Sequence, residues 1–176
     1  SEVSEPLLCL KHTPETRVWC VAFRPGDGKR LVSVGRTQPD LKGELKVWDL
    51  TTGQEVLHVD DIPDMLYCVR YSPDGRQFAI TGFDHGVKIL DAETGQEQLA
   101  LGDQPYTDLA FSPDGRRLAA VGGLFTVHPN REVEVWDTRT GQKAPSQRGP
   151  GGALRCVASS PDGRRLASSG LDQTVK

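Results

Sequence analysis

Two turn motifs recur in fixed order along this chain, and the recurrence constrains the fold more than any single residue does. The first motif, Ser-Pro-Asp-Gly-Arg, has one loose copy and three close ones: Phe23–Leu31, Ser72–Arg76, Ser112–Arg116 and Ser160–Arg164. The second motif, Asp-x-x-Thr-Gly-Gln, follows the first three of these copies: Asp49–Gln54, Asp91–Gln96 and Asp137–Gln142. Its aspartates are 42 and then 46 residues apart, so the chain is built from repeated units.

Each unit has the content of a β-sheet. Short apolar or alternating segments lie between Pro, Asp and Gly residues, which is typical of strands and tight turns and not of helix pairs. The strands predicted for the second unit are Leu66–Tyr71, Phe78–Thr81, Val87–Leu90 and Gln98–Leu101. Four strands joined by three turns predict an antiparallel meander. The fold is therefore expected to be all-β, with no helix longer than a turn or two.

The repeated aspartates are interpreted as turn residues and not as catalytic acids. In Ser-Pro-Asp-Gly, the proline presets the second turn position, and the glycine adopts a positive φ at the fourth. The carboxylate of Asp91 and its equivalents can accept hydrogen bonds from amides of their own turns. Recurrence at a single turn position favours this structural role.

Three tripeptides precede the second motif: Val47-Trp48-Asp49, Ile89-Leu90-Asp91 and Val135-Trp136-Asp137. Together with the two turn motifs, they make the chain similar to the WD-repeat (WD40) family of β-propellers over nearly its whole length. The resemblance implies four-stranded blades around a central channel, here about four of them with the last incomplete. It also implies a hydrogen-bonded set of histidine, serine or threonine, aspartate and tryptophan in each blade. Because His12 is the best match to the family histidine and Leu90 replaces a tryptophan, this set is expected to be complete in no unit.

The repeat divides the chain into one propeller segment. Its units are residues 13–61, 62–103, 104–149 and the partial 150–176. Leu7–Leu10 aligns with the fourth strands of later units, so residues 1–12 are expected to supply strand four of a preceding or closing blade. The chain stops inside strand three of its last unit, which favours a piece of a larger propeller over closure as a four-bladed ring. An open array exposes sheet faces and edges, so self-association of the isolated segment is expected.

Charge and hydropathy exclude two classes of partner. The chain has 21 Lys and Arg against 24 Asp and Glu, a net charge of −3, which gives no electrostatic basis for binding nucleic acid. No apolar run reaches the length that spans a membrane, and the acidic Ser1–Pro6 does not resemble a signal peptide. Neither a nucleic-acid nor a membrane partner is predicted.

Three of the four cysteines occupy one position of the repeat. Cys20, Cys68 and Cys156 share this position with Asp108, whereas Cys9 lies apart. Thiolates and a carboxylate are zinc ligands by type. Equivalent side chains of successive blades point toward the neighbouring blade and not toward a shared point, so small buried residues are the favoured interpretation and no metal is predicted. Blade spacing disfavours disulfides, and unpaired cysteines fit a cytoplasmic location.

The sequence contains no recognisable catalytic motif. A phosphate-binding Gly-rich loop with Lys-Ser/Thr, a His-Glu-x-x-His pair and a Gly-x-Ser-x-Gly elbow are all absent. The four histidines lie at unrelated positions of the repeat. We therefore predict that the chain is not an enzyme and has no cofactor.

Recognition is expected on one face of the meander. The connections between strands one and two and between strands three and four carry the repeated motifs, and they form what we call the turn face. The remaining connections form the opposite side, the mouth face, and both insertions, Arg36–Gly43 and Leu124–Arg131, lie there. Variable loops on a rigid scaffold are the usual place for recognition, although neutral loop variation is an equal alternative.

The innermost strands begin on the mouth face with residue types that anchor protein interfaces. The predicted partner-binding residues are Arg17, Trp19, Met65, Tyr67, Phe83, Thr107, Arg155 and Leu171. In the alternative interpretation, Trp19 and Tyr67 are wedged between blades as part of the core.

The function expected from these observations is a non-catalytic scaffold for protein–protein interactions. Two alternatives stay open. The segment can be an accessory or regulatory region of a larger enzyme, such as a protein kinase or a hydrolase, or a structural arm without a partner. Kinase or hydrolase motifs in a longer chain would identify the first alternative. A pulldown unaffected by mutation of the mouth face would identify the second.

Overall fold

Antiparallel β-sheets make up the fold in the computed structural model, which describes residues 8–62, 65–83, 86–122, 132–148 and 152–176. The strands are β1 Arg17–Phe23, β2 Arg30–Arg36, β3 Gly43–Asp49, β4 Gln54–Ile62, β5 Leu66–Tyr71, β6 Gln77–Gly82, β7 Val87–Asp91, β8 Glu97–Leu101, β9 Tyr106–Phe111, β10 Arg117–Gly122, β11 Glu132–Asp137, β12 Gln147–Arg148, β13 Leu154–Ser159 and β14 Leu166–Gly170. Within these described ranges there is no helix that could cross a membrane.

The strands form successive meander sheets, the blades of a propeller. Strands β1–β4, β5–β8 and β9–β12 make three four-stranded sheets in chain order, and β13 pairs with β14 in a fourth. A bridge between Ser169 and Val175 begins a third strand in this last sheet. The predicted all-β propeller segment with an incomplete last blade is therefore confirmed. In the second blade, every strand end lies within a residue of its predicted position.

Apolar cores lie between successive blades, because each sheet is apolar on both faces. The innermost strands follow one another in space, with β1 beside β5, β5 beside β9, and β9 beside β13. Representative buried side chains of the three cores are Val34 and Phe78, Ile89 and Tyr106, and Val121 and Leu154. Each blade is thus held mainly by its neighbours, as in other repeat folds.

Hydrogen bonds within each turn hold the turn face, as predicted. In the second blade, Ser72 Oγ donates to Asp74 Oδ1 at 2.6 Å, and the Arg76 amide donates to the same oxygen at 3.1 Å. Asp91 Oδ1 accepts two amides of its own turn at 3.0 and 2.9 Å. Gly75 has a φ of +68°, which favours glycine at this position. The same hydrogen bonds recur in the third blade.

The residues before β1 occupy the place of a preceding fourth strand without forming one. In the second blade, the turn glycine Gly95 packs closely on Leu57 of the preceding β4, since a Cβ added to it would lie 3.2 Å from that side chain. In the first blade, the equivalent glycine Gly53 packs on Leu8 in the same way, and an added Cβ would lie 2.8 Å from it. Leu8–Leu10, the described part of the predicted strand Leu7–Leu10, pair with no strand among the described residues. Their role as strand four of a preceding or closing blade stays a prediction.

The first blade has an exposed outer side. Val21 and Phe23 of β1 are 52% and 63% exposed, whereas their equivalents Val69 and Tyr71 in β5 are 0% and 8% exposed. The difference arises because the first blade covers Val69 and Tyr71. The outer side of β1 therefore has the composition of a face that packs against another sheet. Self-association through this side stays a prediction.

Candidate protein-binding mouth

A β-bulge recurs near the start of each innermost strand. In all four blades, the register between the innermost strand and its neighbour shifts by one residue at the same position of the repeat. The extra residues are Trp19, Tyr67, Thr107 and Arg155. A bulge increases the local twist and re-aims a side chain. Four of the predicted site residues therefore share a backbone geometry as well as an aligned position.

Trp19 and Tyr67 meet on the mouth face. Their ring centroids are 6.0 Å apart, with 73° between the ring planes, which is the favourable edge-to-face arrangement. The Arg36 guanidinium carbon lies 5.5 Å from the centroid of the Trp19 ring, and Arg36 Nη1 donates to Met65 Sδ at 3.1 Å. We call these four residues, Trp19, Arg36, Met65 and Tyr67, the mouth cluster.

The mouth cluster is packed on one side and open on the other. Trp19 is 51% exposed, so it is not enclosed between blades. Tyr67, Met65 and Arg36 are half-buried. Arg36 Nε is buried and has no hydrogen-bond partner in the described part of the chain, which is uncommon for a buried donor. The cluster therefore combines a partly exposed aromatic pair with a buried hydrogen-bond donor, Arg36 Nε, that no described residue satisfies.

The remaining predicted residues lie along the same face. Arg17 is exposed and pairs across strands with Arg36. Half-buried Phe83 follows β6, and half-buried Thr107 donates to the Val121 carbonyl at 3.4 Å. In the fourth blade, exposed Arg155 lies on β13 and exposed Leu171 directly follows β14, which pairs with β13. The structure thus brings Trp19, Met65 and Tyr67 into one cluster, and distributes the others over the neighbouring blades.

Sequence reasoning did not assign Arg36 to the site. This arginine ends β2 and begins the insertion Arg36–Gly43, whose turn is closed by a 2.8 Å bond from the Thr37 amide to the Lys42 carbonyl. Its position opposite Arg17 in the β1–β2 hairpin was the signal that could have identified it. The second insertion, Leu124–Arg131, lies outside the described residues.

A buried polar network anchors the segment that leads into β1. Trp48 Nε1 donates to Ser33 Oγ at 2.8 Å, and Ser33 Oγ lies 2.6 Å from His12 Nε2. His12 Nδ1 lies 2.8 Å from Glu44 Oε2. The first blade thus forms a hydrogen-bonded set similar to the family's, in which Glu44 of β3 takes the place of the aspartate. Sequence reasoning missed this set because its acid is a glutamate on a strand and not an aspartate.

Glu44 is held in its charged form within this network. Burial disfavours the carboxylate, but hydrogen bonds from Thr16 and His12 outweigh that effect, and the nearby charges of His12 and Lys46 add to them, so the pKa of Glu44 is lowered. Thr16 directly precedes β1, so its bond to Glu44 fixes the entry of the chain into that strand. The network therefore supports the backbone that carries Trp19.

The aligned thiols and Asp108 form a line across the blades and not a metal-binding cage. Cys68 Sγ lies 3.5 Å from Asp108 Oδ1, and Asp108 Oδ2 accepts the Val157 amide at 3.0 Å. All four cysteines are free. No cluster of metal-ligating side chains is found among the residues that the structure describes.

Comparison with known proteins agrees with the fold. The family model for the WD domain, G-beta repeat, matches residues 57–91 and 141–176. A WD repeat-containing protein, SL1-17, from Schistosoma mansoni is 33% identical over 141 residues, which cover 77% of this chain and 44% of that protein. A serine-threonine kinase receptor-associated protein from Dictyostelium discoideum is 28% identical over 134 residues, covering 75% of this chain and 42% of that protein.

Among solved structures, the crystal structure of the computationally designed Ika4 protein superimposes with a TM-score of 0.75 and 22% identity, covering 98% of this chain and 96% of that one. At this identity the likeness concerns the fold alone. The chain spans less than half the length of the two relatives described above. The repeated motifs, the blades and the matches to WD-repeat sequences together identify this chain as a member of the WD-repeat family.

Proposed function

We propose that this chain is a protein-interaction scaffold that binds its partner through the mouth cluster. The observation that carries the proposal is the half-exposed Trp19–Tyr67 pair with Arg36 stacked against it. Proteins of the WD-repeat family generally bind other proteins, and one relative is named for its association with a receptor. The predicted site residues Arg17, Phe83, Thr107, Arg155 and Leu171 form the surround of this anchor.

The physical basis is the behaviour of aromatic and arginine side chains at interfaces. Such residues dominate binding energy when a partner covers them and excludes water, and truncating a central one commonly costs about 2 kcal/mol or more of binding. Trp19 offers a large apolar surface that is already held in place by Tyr67 and Arg36, so little side-chain entropy is lost on binding. The mouth cluster is therefore prepared for an apolar anchor from the partner.

Charge defines the second feature of the expected partner. Arg17, Arg36 and Arg155 all lie on the mouth face, and Arg36 Nε has no acceptor in the described residues. A carboxylate or a backbone carbonyl beside the apolar anchor would satisfy this donor, and a charge-assisted bond to a carboxylate is the stronger of the two. We infer a protein segment that presents an apolar side chain next to an acidic one.

No chemical step is assigned to the chain in this proposal. The repeated aspartates accept hydrogen bonds from their own turns, as Asp74 and Asp91 do. The scaffold is proposed to work in the cytoplasm, since free cysteines persist in a reducing compartment.

The proposal can be tested with site-specific photo-crosslinking in the full-length protein in its own cells. A benzophenone amino acid replaces Tyr67 in one variant, and Arg116 on the turn face in a matched control. We expect protein adducts from position 67 and none from position 116. Adding Trp19→Ala to the first variant should abolish the adducts, with circular dichroism showing that the fold is retained.

The affinity of the cross-linked protein is then measured directly by calorimetry. Trp19→Ala and Tyr67→Ala are each expected to weaken binding about thirtyfold or more, in line with the loss of a central anchor. Arg76→Ala and Arg116→Ala, on the turn face, should leave binding unchanged. The opposite pattern would place the binding surface on the turn face and overturn the proposal.

A further inference from the structure

A second group of reactive side chains lies along the innermost strands, separate from the mouth cluster. Cys20 of β1 is half-buried and faces Arg70 of β5, whose Nη1 lies 3.2 Å from Cys20 Sγ. Arg70 Nη2 donates to Asp108 Oδ1 of β9 at 2.8 Å. The other oxygen of Asp108 accepts the Val157 amide of β13 at 3.0 Å. One chain of contacts thus crosses all four blades and ends at a thiol.

Along this line of contacts, Asp108 orients the guanidinium of Arg70. Because Asp108 is held from the fourth blade and binds one nitrogen of the guanidinium, the other terminal nitrogen of Arg70 is directed at Cys20. In its thiol form, Cys20 can donate to the Val69 carbonyl at 3.7 Å. In its thiolate form, it accepts from Arg70. A guanidinium next to a partly accessible sulfur is the environment in which cysteine becomes nucleophilic.

We propose that Cys20 is an oxidation-sensitive thiolate, stabilised by Arg70, that hydroperoxides convert to a sulfenic acid. The contacts that define this site do not involve the residues of the mouth cluster. Arg70 is a positioning and charge-stabilising residue for the sulfur, and Asp108 positions Arg70.

The reaction balances with the hydroperoxide as the only oxidant. The Cys20 sulfur attacks one peroxide oxygen, so an S–O bond forms as the O–O bond breaks. The second oxygen leaves with the electron pair and takes up a proton, giving water from hydrogen peroxide or an alcohol from an organic hydroperoxide. The sulfur loses two electrons and the peroxide gains them.

The other cysteines differ from Cys20 in their surroundings. A hydrogen bond from Cys68 and the charge of Arg70 lower the pKa of Cys20 against the effect of burial. The pKa of Cys68 is raised by its hydrogen bond with Cys20 and by burial, and the Asp108 carboxylate at 3.5 Å adds to these effects. Cys156 is exposed, but its contact with Asp108 raises its pKa. Cys9 is exposed and provides an internal reference.

The test uses dimedone, which traps sulfenic acids, in the full-length protein treated with hydrogen peroxide at pH 6.5. Peptide mass spectrometry gives a labelling rate for each cysteine in one sample. Cys20 should be labelled about tenfold or more faster than Cys9 and Cys156, although both of these are more exposed. In urea, where the contacts with Arg70 are lost, the rates of the three should converge.

Variants test the role of the arginine. Arg70→Gln should slow the labelling of Cys20 about tenfold, and Arg70→Lys should keep part of the rate, because it retains the charge. Arg24→Gln, which removes a turn-face arginine bound to Glu93, is the matched control and should have no effect. The proposal is overturned if folded wild-type protein labels Cys20 no faster than Cys9, or if folded Arg70→Gln labels Cys20 at the wild-type rate. The first comparison needs no variant, so it decides the question even if Arg70→Gln does not fold.

Discussion

The turn face and the mouth face of the blades satisfy their polar groups in different ways. On the turn face, the partners of each aspartate lie within the same turn, as for Asp114 with Ser112 at 2.6 Å and the Arg116 amide at 3.0 Å. On the mouth face, Trp19 meets Tyr67 of the next blade, and Arg36 keeps a buried nitrogen without a partner among the described residues. The turn aspartates are therefore satisfied mainly within their own turns, although Glu93 also bonds to Arg24 of the first blade at 2.6 Å. The mouth cluster, in contrast, is built from contacts between two blades.

Under the proposed function, repetition and partner binding occupy different faces. A turn that satisfies its own hydrogen bonds can be copied from blade to blade without regard to its neighbours. A cluster that joins two blades, such as Trp19 with Tyr67, needs a particular residue in each. Mutations on the two faces should therefore differ in kind as well as in size.

The largest expected difference in unfolding free energy is between truncation of a core aromatic residue and truncation of a mouth aromatic residue. Trp136 is 2% exposed and packs edge-to-face on Tyr106 at 5.5 Å, so Trp136→Ala should lower the free energy of unfolding by about 3–5 kcal/mol. Trp19 is 51% exposed, so Trp19→Ala should cost less than about 1 kcal/mol. Urea unfolding followed by circular dichroism measures both. Equal losses would mean that Trp19 is core, and the proposed mouth would then be incorrect.

The network beneath β1 gives the next effect. Ser33→Ala leaves the buried indole nitrogen of Trp48 and a ring nitrogen of His12 without a partner, so we expect a loss of about 2 kcal/mol in unfolding free energy. Ser146→Ala is the control, because Ser146 is exposed and donates to Glu132 of β11. Its effect should stay within about 0.5 kcal/mol. If the two variants are equally stable, the network does not anchor β1.

A turn-face serine should give a smaller loss and no change in binding. Ser72 Oγ donates to Asp74 and accepts the Gln77 amide at 3.1 Å, so Ser72→Ala is expected to cost about 1 kcal/mol of unfolding free energy. Calorimetric titration with the cross-linked partner should show wild-type affinity. Weakened binding in a folded Ser72→Ala protein would contradict the separation of the two faces.

The sequence predicted the regular parts of the molecule well because local chemistry determines them. Pro, Asp and Gly at fixed positions specify the first turn of each unit, such as Ser72–Arg76. Short apolar segments such as Leu66–Tyr71, bounded by these turns, specify strands. The same information cannot decide Leu7–Leu10, because their composition suits a strand but strand pairing also needs a neighbouring sheet. Local propensity and tertiary pairing diverge at such an edge.

The candidate site was only partly predictable, for a related reason. Alignment placed Trp19 and Tyr67 at one position of the repeat, and the shared bulge explains why that position is distinctive. The contact of Arg36 with Trp19 and Met65 depends on how two blades pack, which no local pattern contains. The same holds for Glu44, which takes the place of the family set's aspartate from a position on β3.

Lowering the pH should gradually remove the stabilisation that the turn-face aspartates provide. Per residue, this is the smallest expected change in stability. Hydrogen bonds from Ser72, Ser112 and Ser160 hold the pKa values of Asp74, Asp114 and Asp162 below the usual value for aspartate. Because each pKa is lower in the folded than in the unfolded chain, the folded state binds fewer protons as the pH approaches the usual value of about 3.9. The stabilisation is therefore complete above that pH, and it is lost as the pH falls through the lower, folded-state pKa values.

Scanning calorimetry between pH 7 and pH 2.5 tests this linkage. The Tm should be nearly constant down to about pH 5 and should then fall. A variant with Asp74→Asn, Asp114→Asn and Asp162→Asn cannot titrate at these turns, so its Tm should start lower and decline less steeply in acid. An unchanged slope would assign the acid sensitivity to other carboxylates whose pKa values are lowered: the second-motif aspartates Asp49, Asp91 and Asp137, or Glu44 on the mouth face. Glu44→Gln, measured in the same way, separates these two sources, because it removes the mouth-face carboxylate alone.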